Sequence, residues 1–163
     1  MPNCSLFPSA SFARNVALGS TMVGLLLGSA SAWAQAHEAH GDGYTLRSST
    51  VRSTAVSAET AREHGIEPAR NRAILNVVVM QRGAPIGSNN VPAEVQATKR
   101  SLTGVERPID MRAAKAANGQ VSYIGAYDFA SREVLDFRIS ARPQGSQQPL
   151  ELTYTERMPA ITD

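Results

Sequence analysis

Apolar and polar positions along the chain predict a structure made almost entirely of strands. Ala73 to Gln81, "AILNVVVMQ", is apolar on both faces and reads as a buried central strand. Val91 to Thr98 alternates, with Val91, Ala93, Val95 and Ala97 on one face and Glu94, Gln96 and Thr98 on the other. Val105 to Arg112 is a poorer strand, because Pro108 lacks a donor and is confined to an edge or a bulge. Val121 to Phe129, Glu133 to Arg142 and Leu150 to Arg157 supply three more. Ahead of them, Tyr44 to Thr54 is rich in Thr, Val and Ser and reads as a polar edge strand.

One segment carries helix signals. In "VSAETAREHGI", Ser57 can cap, Glu59 suits the positive end, and Val56 can staple onto Ala61. Gly65 suits the left-handed position that stops a helix, with Ile66 as its apolar partner. The predicted fold is therefore all-β: an antiparallel β-sandwich, immunoglobulin-like or a flattened barrel, of about seven strands with one short helix after the first.

Side-chain register refines this expectation. A three-residue turn at Ala130-Ser131-Arg132 sets Tyr127 opposite Leu135, Gly125 opposite Phe137 and Tyr123 opposite Ile139, so that Phe137 covers the bare glycine. A turn centred on Gly145-Ser146 sets Phe137 opposite Tyr154 and Ile139 opposite Leu152. The last three strands are expected to form one meander. Asn76, inside the apolar central strand, is expected to bond to a neighbouring loop or bulge.

Several segments resemble one known family. "RAILNVVVM" (Arg72 to Met80), "VPAEVQATKRSLTG" (Val91 to Gly104), "VSYIGAYDF" (Val121 to Phe129) and "REVLDFRISARPQG" (Arg132 to Gly145) come in the family's order. They are similar to the domain of unknown function family four-four-two-six, small exported proteins of Gram-negative bacteria. The resemblance runs from Tyr44 to Met158, with the His-bearing segment ahead of it falling outside. It implies a compartment and an architecture and supplies no activity or catalytic residue.

The amino-terminal segment changes the picture of where this domain works. Arg14 precedes an apolar run, Val16 to Leu27, too short and too broken by Gly and Ser to span a membrane comfortably. Two A-x-A sites follow, Ala32-Trp33-Ala34 and Ala34-Gln35-Ala36. Residues 1–36 therefore read as an export signal, cleaved after Ala34 or Ala36. Residues 37–43 read as a flexible His-containing arm, 44–158 as the sandwich and 159–163 as a tail. Cleavage removes the only Cys and the only Trp and leaves fifteen basic against fourteen acidic residues. The expected product is periplasmic, without thiol chemistry or a stable membrane anchor. Its charges are interleaved as on a solvated surface rather than gathered into a nucleic-acid footprint.

Little chemistry is legible. His37 and His40, with Glu38 between them, form the candidate metal set for copper or nickel, helped by the new amino terminus: cleavage after Ala34 puts His37 third, and cleavage after Ala36 puts it first. The plain alternative is a spacer with no cofactor. Arg70 and Arg72 could hold an anion or a partner, or simply lie in a solvated loop. His64 suits a helix C-terminus. Asp128, Glu133 and Asp136 suit cross-strand ion pairs with nearby arginines. No Ser lies in a nucleophile-elbow pattern, so a hydrolytic enzyme ranks third. First stands a non-catalytic binding or accessory module with an envelope protein as partner. A copper or nickel protein using the His arm stands second.

Overall fold

The computed structural model describes residues 36–85, 89–116 and 118–162. The expected export signal thus falls, but for Ala36, outside the described residues. Nine strands follow one another along the chain: β1 (Ala36–Gly41), β2 (Tyr44–Arg52), β3 (Arg72–Gln81), β4 (Ala93–Ser101), β5 (Glu106–Ile109), β6 (Arg112–Lys115), β7 (Val121–Asp128), β8 (Val134–Pro143) and β9 (Leu150–Arg157). A 3-10 turn (Ser53–Ala55) and one helix, α1 (Ala58–Glu63), lie between β2 and β3. The strands make two antiparallel sheets, ordered β1-β2-β3-β7-β6 and β5-β4-β8-β9. The sheets do not close on one another, so the sandwich expectation holds and the flattened barrel does not.

Local signals act as their chemistry dictates. Ser57 Oγ accepts from the Thr60 backbone N–H at 3.1 Å and starts α1. Gly65, at φ +63°, ends it, and the Ile66 N–H reaches back to the Ala61 carbonyl at 2.7 Å. β3 is the third strand of its five-stranded sheet, and Ala73, Leu75, Val77 and Val79 are buried. Asn76 falls between them on the opposite face and is only half-buried, so it is not the core amide that the apolar run suggested. β5, which carries Pro108, is an edge strand.

Two predicted relationships are corrected. Gly125 and Phe137 do not pair: β7 lies between β3 and β6 in one sheet, while β8 lies between β4 and β9 in the other. The Ala130-Ser131-Arg132 link crosses between layers, and Tyr127 meets Phe137 edge-on across the sandwich, with ring centroids 5.3 Å apart. A period-2 pattern has the same appearance in a hairpin and in two strands that face each other across a core. The β8–β9 hairpin does have the expected register, Phe137 with Tyr154 and Ile139 with Leu152.

The second correction concerns residues 37–43. The expected flexible arm is strand β1 with its turn, paired along β2 from Ala36↔Ser49 to Gly41↔Tyr44. Asp42 and Gly43 both have positive φ, 46° and 81°, the backbone of a two-residue hairpin turn. β2 is therefore not an edge strand. The tail is anchored too: the Ile161 N–H donates to Ser131 Oγ, and the Ala160 and Thr162 carbonyls accept from Arg52 and Arg70.

Candidate functional site

The polar composition of β2 has its explanation inside the sandwich. Leu46, Ser48 and Thr50 alternate toward the core, and Ser48 is fully buried. Buried hydroxyls need partners, and the opposite sheet supplies them. Ser48 Oγ is 3.0 Å from Tyr154 Oη, and Thr50 Oγ1 donates to Glu156 Oε2 at 3.0 Å. Tyr127 Oη donates to Thr50 Oγ1 at 3.5 Å and lies 3.8 Å from Met158 Sδ. Along and just past β9, Tyr154, Glu156 and Met158 are alternate residues and fall on one face of the strand.

β1 closes this corner. Strand alternation turns His37, Ala39 and Gly41 inward and Ala36, Glu38 and His40 outward. The His37 ring stacks on Tyr154, with centroids 3.7 Å apart and planes 12° from parallel. Tyr154 in turn stacks on Phe137 at 5.1 Å. Farther along, a Cβ on Gly41 would lie 3.0 Å from Leu150 Cδ2, so a small residue lets β1 sit close to β9. His37 Nε2 is sealed from solvent and is the single buried side-chain nitrogen or oxygen among the described residues without a hydrogen-bond partner.

The electrostatics follow from burial. Burial pushes the Tyr154 hydroxyl up to about 12, and Tyr127 is raised further by the same cause. The Glu156 carboxyl is also raised by burial, with the Thr50 hydrogen bond and the charge of His37 opposing that shift. No Arg or Lys pairs with Glu156 among the described residues. The corner thus holds a half-buried carboxylate without an ammonium or guanidinium counter-charge, and an imidazole nitrogen without a partner.

The residues singled out in the sequence are distributed differently. His37 faces the core, and Glu38 and His40 lie on the other face of β1, so the proposed three-ligand set is not assembled. Glu38 is held by Arg47, with Nε donating at 2.6 Å, and His40 Nδ1 lies 2.9 Å from Thr45 Oγ1. Among the described residues no three His, Cys, Asp or Glu side chains gather as a metal group. Arg72 is bound to Asp128 at 2.8 Å across β3–β7 and to Glu67 at 3.6 Å; Arg70 donates to the Thr162 carbonyl. Both guanidiniums are thus engaged within the chain. Asp136 pairs with Arg100 and Thr155, and Glu133 accepts from the Ala130 N–H. His64 caps α1 and borders a shallow cleft with Ile74, Asp110 and Arg112.

Sequence reasoning missed Tyr154, on which the His37 ring stacks, and the Thr50–Glu156 and Tyr127–Met158 contacts of the same corner. One signal was present: Asp42-Gly43 is a strong hairpin dipeptide, and pairing "AHEAH" with "TLRSS" would have turned His37 inward.

A two-sheet antiparallel sandwich with a polar corner is the class that fold and site define. A family model, the domain of unknown function DUF4426, matches residues 38–159. The chain belongs to that family, and because the match begins at residue 38, most of the His-bearing segment lies within the family domain rather than ahead of it. A DUF4426 family protein from Pseudomonas aeruginosa PAO1 is similar in fold: TM-score 0.67, 18% identity, covering 77% of this chain and 95% of that one. FetP of uropathogenic Escherichia coli strain F11 is more distant, at TM-score 0.54 and 12% identity over 78% and 99% of the two chains. A copper-bound variant of FetP aligns at 0.55 and 10% over 80% and 94%. A comparison with curated proteins finds no match.

Proposed function

We propose that this protein is a non-catalytic binding module of the periplasm that docks an envelope protein along β1. The carrying observation is that β1 ends its sheet, and among the described residues no strand pairs with its outer edge. Such an edge offers a row of backbone donors and acceptors to an incoming strand. The stacked His37 ring and the Gly41–Leu150 approach hold the edge against β9, so its backbone is presented in a fixed geometry. The leader pattern around Arg14 and Val16 to Leu27 supports export. A photo-crosslinking residue placed at Glu38 in living cells should give a discrete protein adduct, and one at Arg138, exposed on the outer face of the interior strand β8, should not. Equal labelling at both positions, or none at Glu38, would defeat this reading.

A second reading, metal handling, is favoured by one specific observation: His37 keeps an unpartnered nitrogen in the polar corner. FetP, a distant fold neighbour, has a copper-bound form. His37 faces away from Glu38 and His40, whose Oε2 and Nε2 are 3.9 Å apart on the outer face of β1, so a metal held by His37 would sit apart from that pair.

A further inference from the structure

We propose that the open end of the sandwich beside the β4–β5 turn is a seat for the carboxylate of a small apolar-chain acid, held between Lys99 and Arg107. This goes beyond the docking reading and does not rest on it, because β4, β5 and β8 build the seat in the sheet that lacks β1.

A cleft of about 240 Å³ opens there, lined by Lys99, Ser101, Thr103, Arg107 and Glu133 with Val105 and Leu135. Strand alternation explains its chemistry. Ala97 of β4 and Ile109 of β5 are buried and pair with each other. One step outward on the same face, Lys99 pairs with Arg107. Side chains opposed in this way have Cβ atoms about 4.5–5.5 Å apart, and like charges there repel. An inward charge on an edge strand such as β5 guards that edge against pairing. One cation suffices for that, and Lys99 stands on the interior strand β4. Two facing cations at the mouth of a core call for an anion between them.

Both have donors to give. The Lys99 ammonium gives one of its three N–H bonds to the Asp128 carbonyl and lies 5.4 Å from the centre of the Tyr127 ring, which fixes its place. The Arg107 guanidinium makes no hydrogen bond or ion pair among the described residues, and its fork matches the geometry of a carboxylate. Ser101 Oγ and Thr103 Oγ1 lie 2.7 Å apart, so the two hydroxyls keep one proton to donate outward. Burial holds Lys99 below its usual range, Glu133 and Asp128 oppose that shift, and the charge of Arg107 adds to it.

The lining also selects the ligand. Glu133 sets one negative charge against two positive ones, which suits a single negative charge better than a phosphate dianion. Val105, 51% exposed, and Leu135 border the same cationic pair. They suit a carboxylate carried on a short apolar chain rather than a bare inorganic ion.

The test is titration of the purified protein, its amino terminus fixed by sequencing, with sodium acetate, butyrate and phosphate at constant ionic strength. Heteronuclear NMR follows the backbone amides and the Arg107 Nε–H. We expect butyrate to give one saturable set of shifts centred on Lys99, Ser101, Arg107 and Leu135, with acetate and phosphate binding more weakly. K99Q and R107Q should each weaken butyrate binding about tenfold, the loss of a charge-assisted hydrogen bond. E133Q should strengthen it, and R138Q, exposed on the outer face of the same sheet, should leave it unchanged. Thermal denaturation without ligand verifies that the variants fold. R107Q removes one of two facing like charges and should not lower the melting temperature, and should K99Q unfold, R107Q alone decides. No saturable shift with butyrate overturns the proposal. So do acetate or phosphate binding as tightly as butyrate, weaker binding in E133Q, and equal losses in R107Q and R138Q.

Discussion

Replacing Gly125 by Ala is a sharp probe of the layer arrangement. A Cβ at this position would lie 2.6 Å from Ile109 Cγ2, 2.7 Å from Met111 Sδ and 3.0 Å from the Asp110 carbonyl oxygen. Ordinary carbon contacts need about 3.5–4.0 Å, so the corner between β5 and β6 must retreat by roughly 1 Å. The Met111 sulfur can swing away, but the Asp110 carbonyl is backbone. Overpacking of this kind costs about 1–3 kcal/mol. The stiffer unfolded chain returns about 0.4–1 kcal/mol, which leaves a net loss of about 1–2 kcal/mol. Urea denaturation should show a lower midpoint at unchanged slope. Adding M111A should recover part of the loss, and adding F137A should recover none, because Met111 is among the atoms nearest that Cβ and Phe137 is not. A G125A protein as stable as the parent, or one rescued by F137A, would refute the reasoning and restore the single meander.

Three further outcomes are expected. Phe137 is fully buried between Tyr127 and Tyr154, so F137A should cost about 3–5 kcal/mol in chemical denaturation. Y154F leaves the buried Ser48 hydroxyl without its partner and should cost about 1–3 kcal/mol, part of which S48A in the same chain recovers. Asp136 is held below its ordinary range by the Thr155 hydroxyl and then by Arg100. The unfolded chain therefore binds more protons than the folded one in acid, and the stabilisation is present above the unfolded value of 3.8 and lost as pH falls through the lower folded one. D136N should lower the melting temperature modestly at neutral pH, with a gap that closes in acid and shrinks in high salt.

What the sequence revealed was whatever short-range chemistry decides. The Ser57 cap, the Gly65 stop and the β8–β9 register each depend on residues close in the chain, and each was legible. β3 was legible because Ala73 to Met80, eight positions interrupted only by Asn76, leave few alternatives. The β7–β8 relation was not, since alternation reveals which side chains face the core and not which sheet carries them. β2 was misread as an edge because Ser48 and Thr50 are polar. Their partners, Tyr154, Tyr127 and Glu156, lie far along the chain, and only the packed sandwich shows them to be core residues. The same distance hid the candidate site: "AHEAH" looks like three ligands in a row until strand pairing sends His37 to one face and Glu38 and His40 to the other.

The docked His37 ring underlies the fixed edge of β1, and nuclear Overhauser contacts between the His37 and Tyr154 rings test it most directly. At a centroid separation of 3.7 Å, the metal-free protein should give contacts between His37 and Tyr154 ring protons, with His37 shifted upfield by the stacked phenol. Sharp, unshifted His37 signals without such contacts, together with fast-exchanging amides from His37 to His40, would mean that the segment is a loose arm and that the account of this corner is wrong.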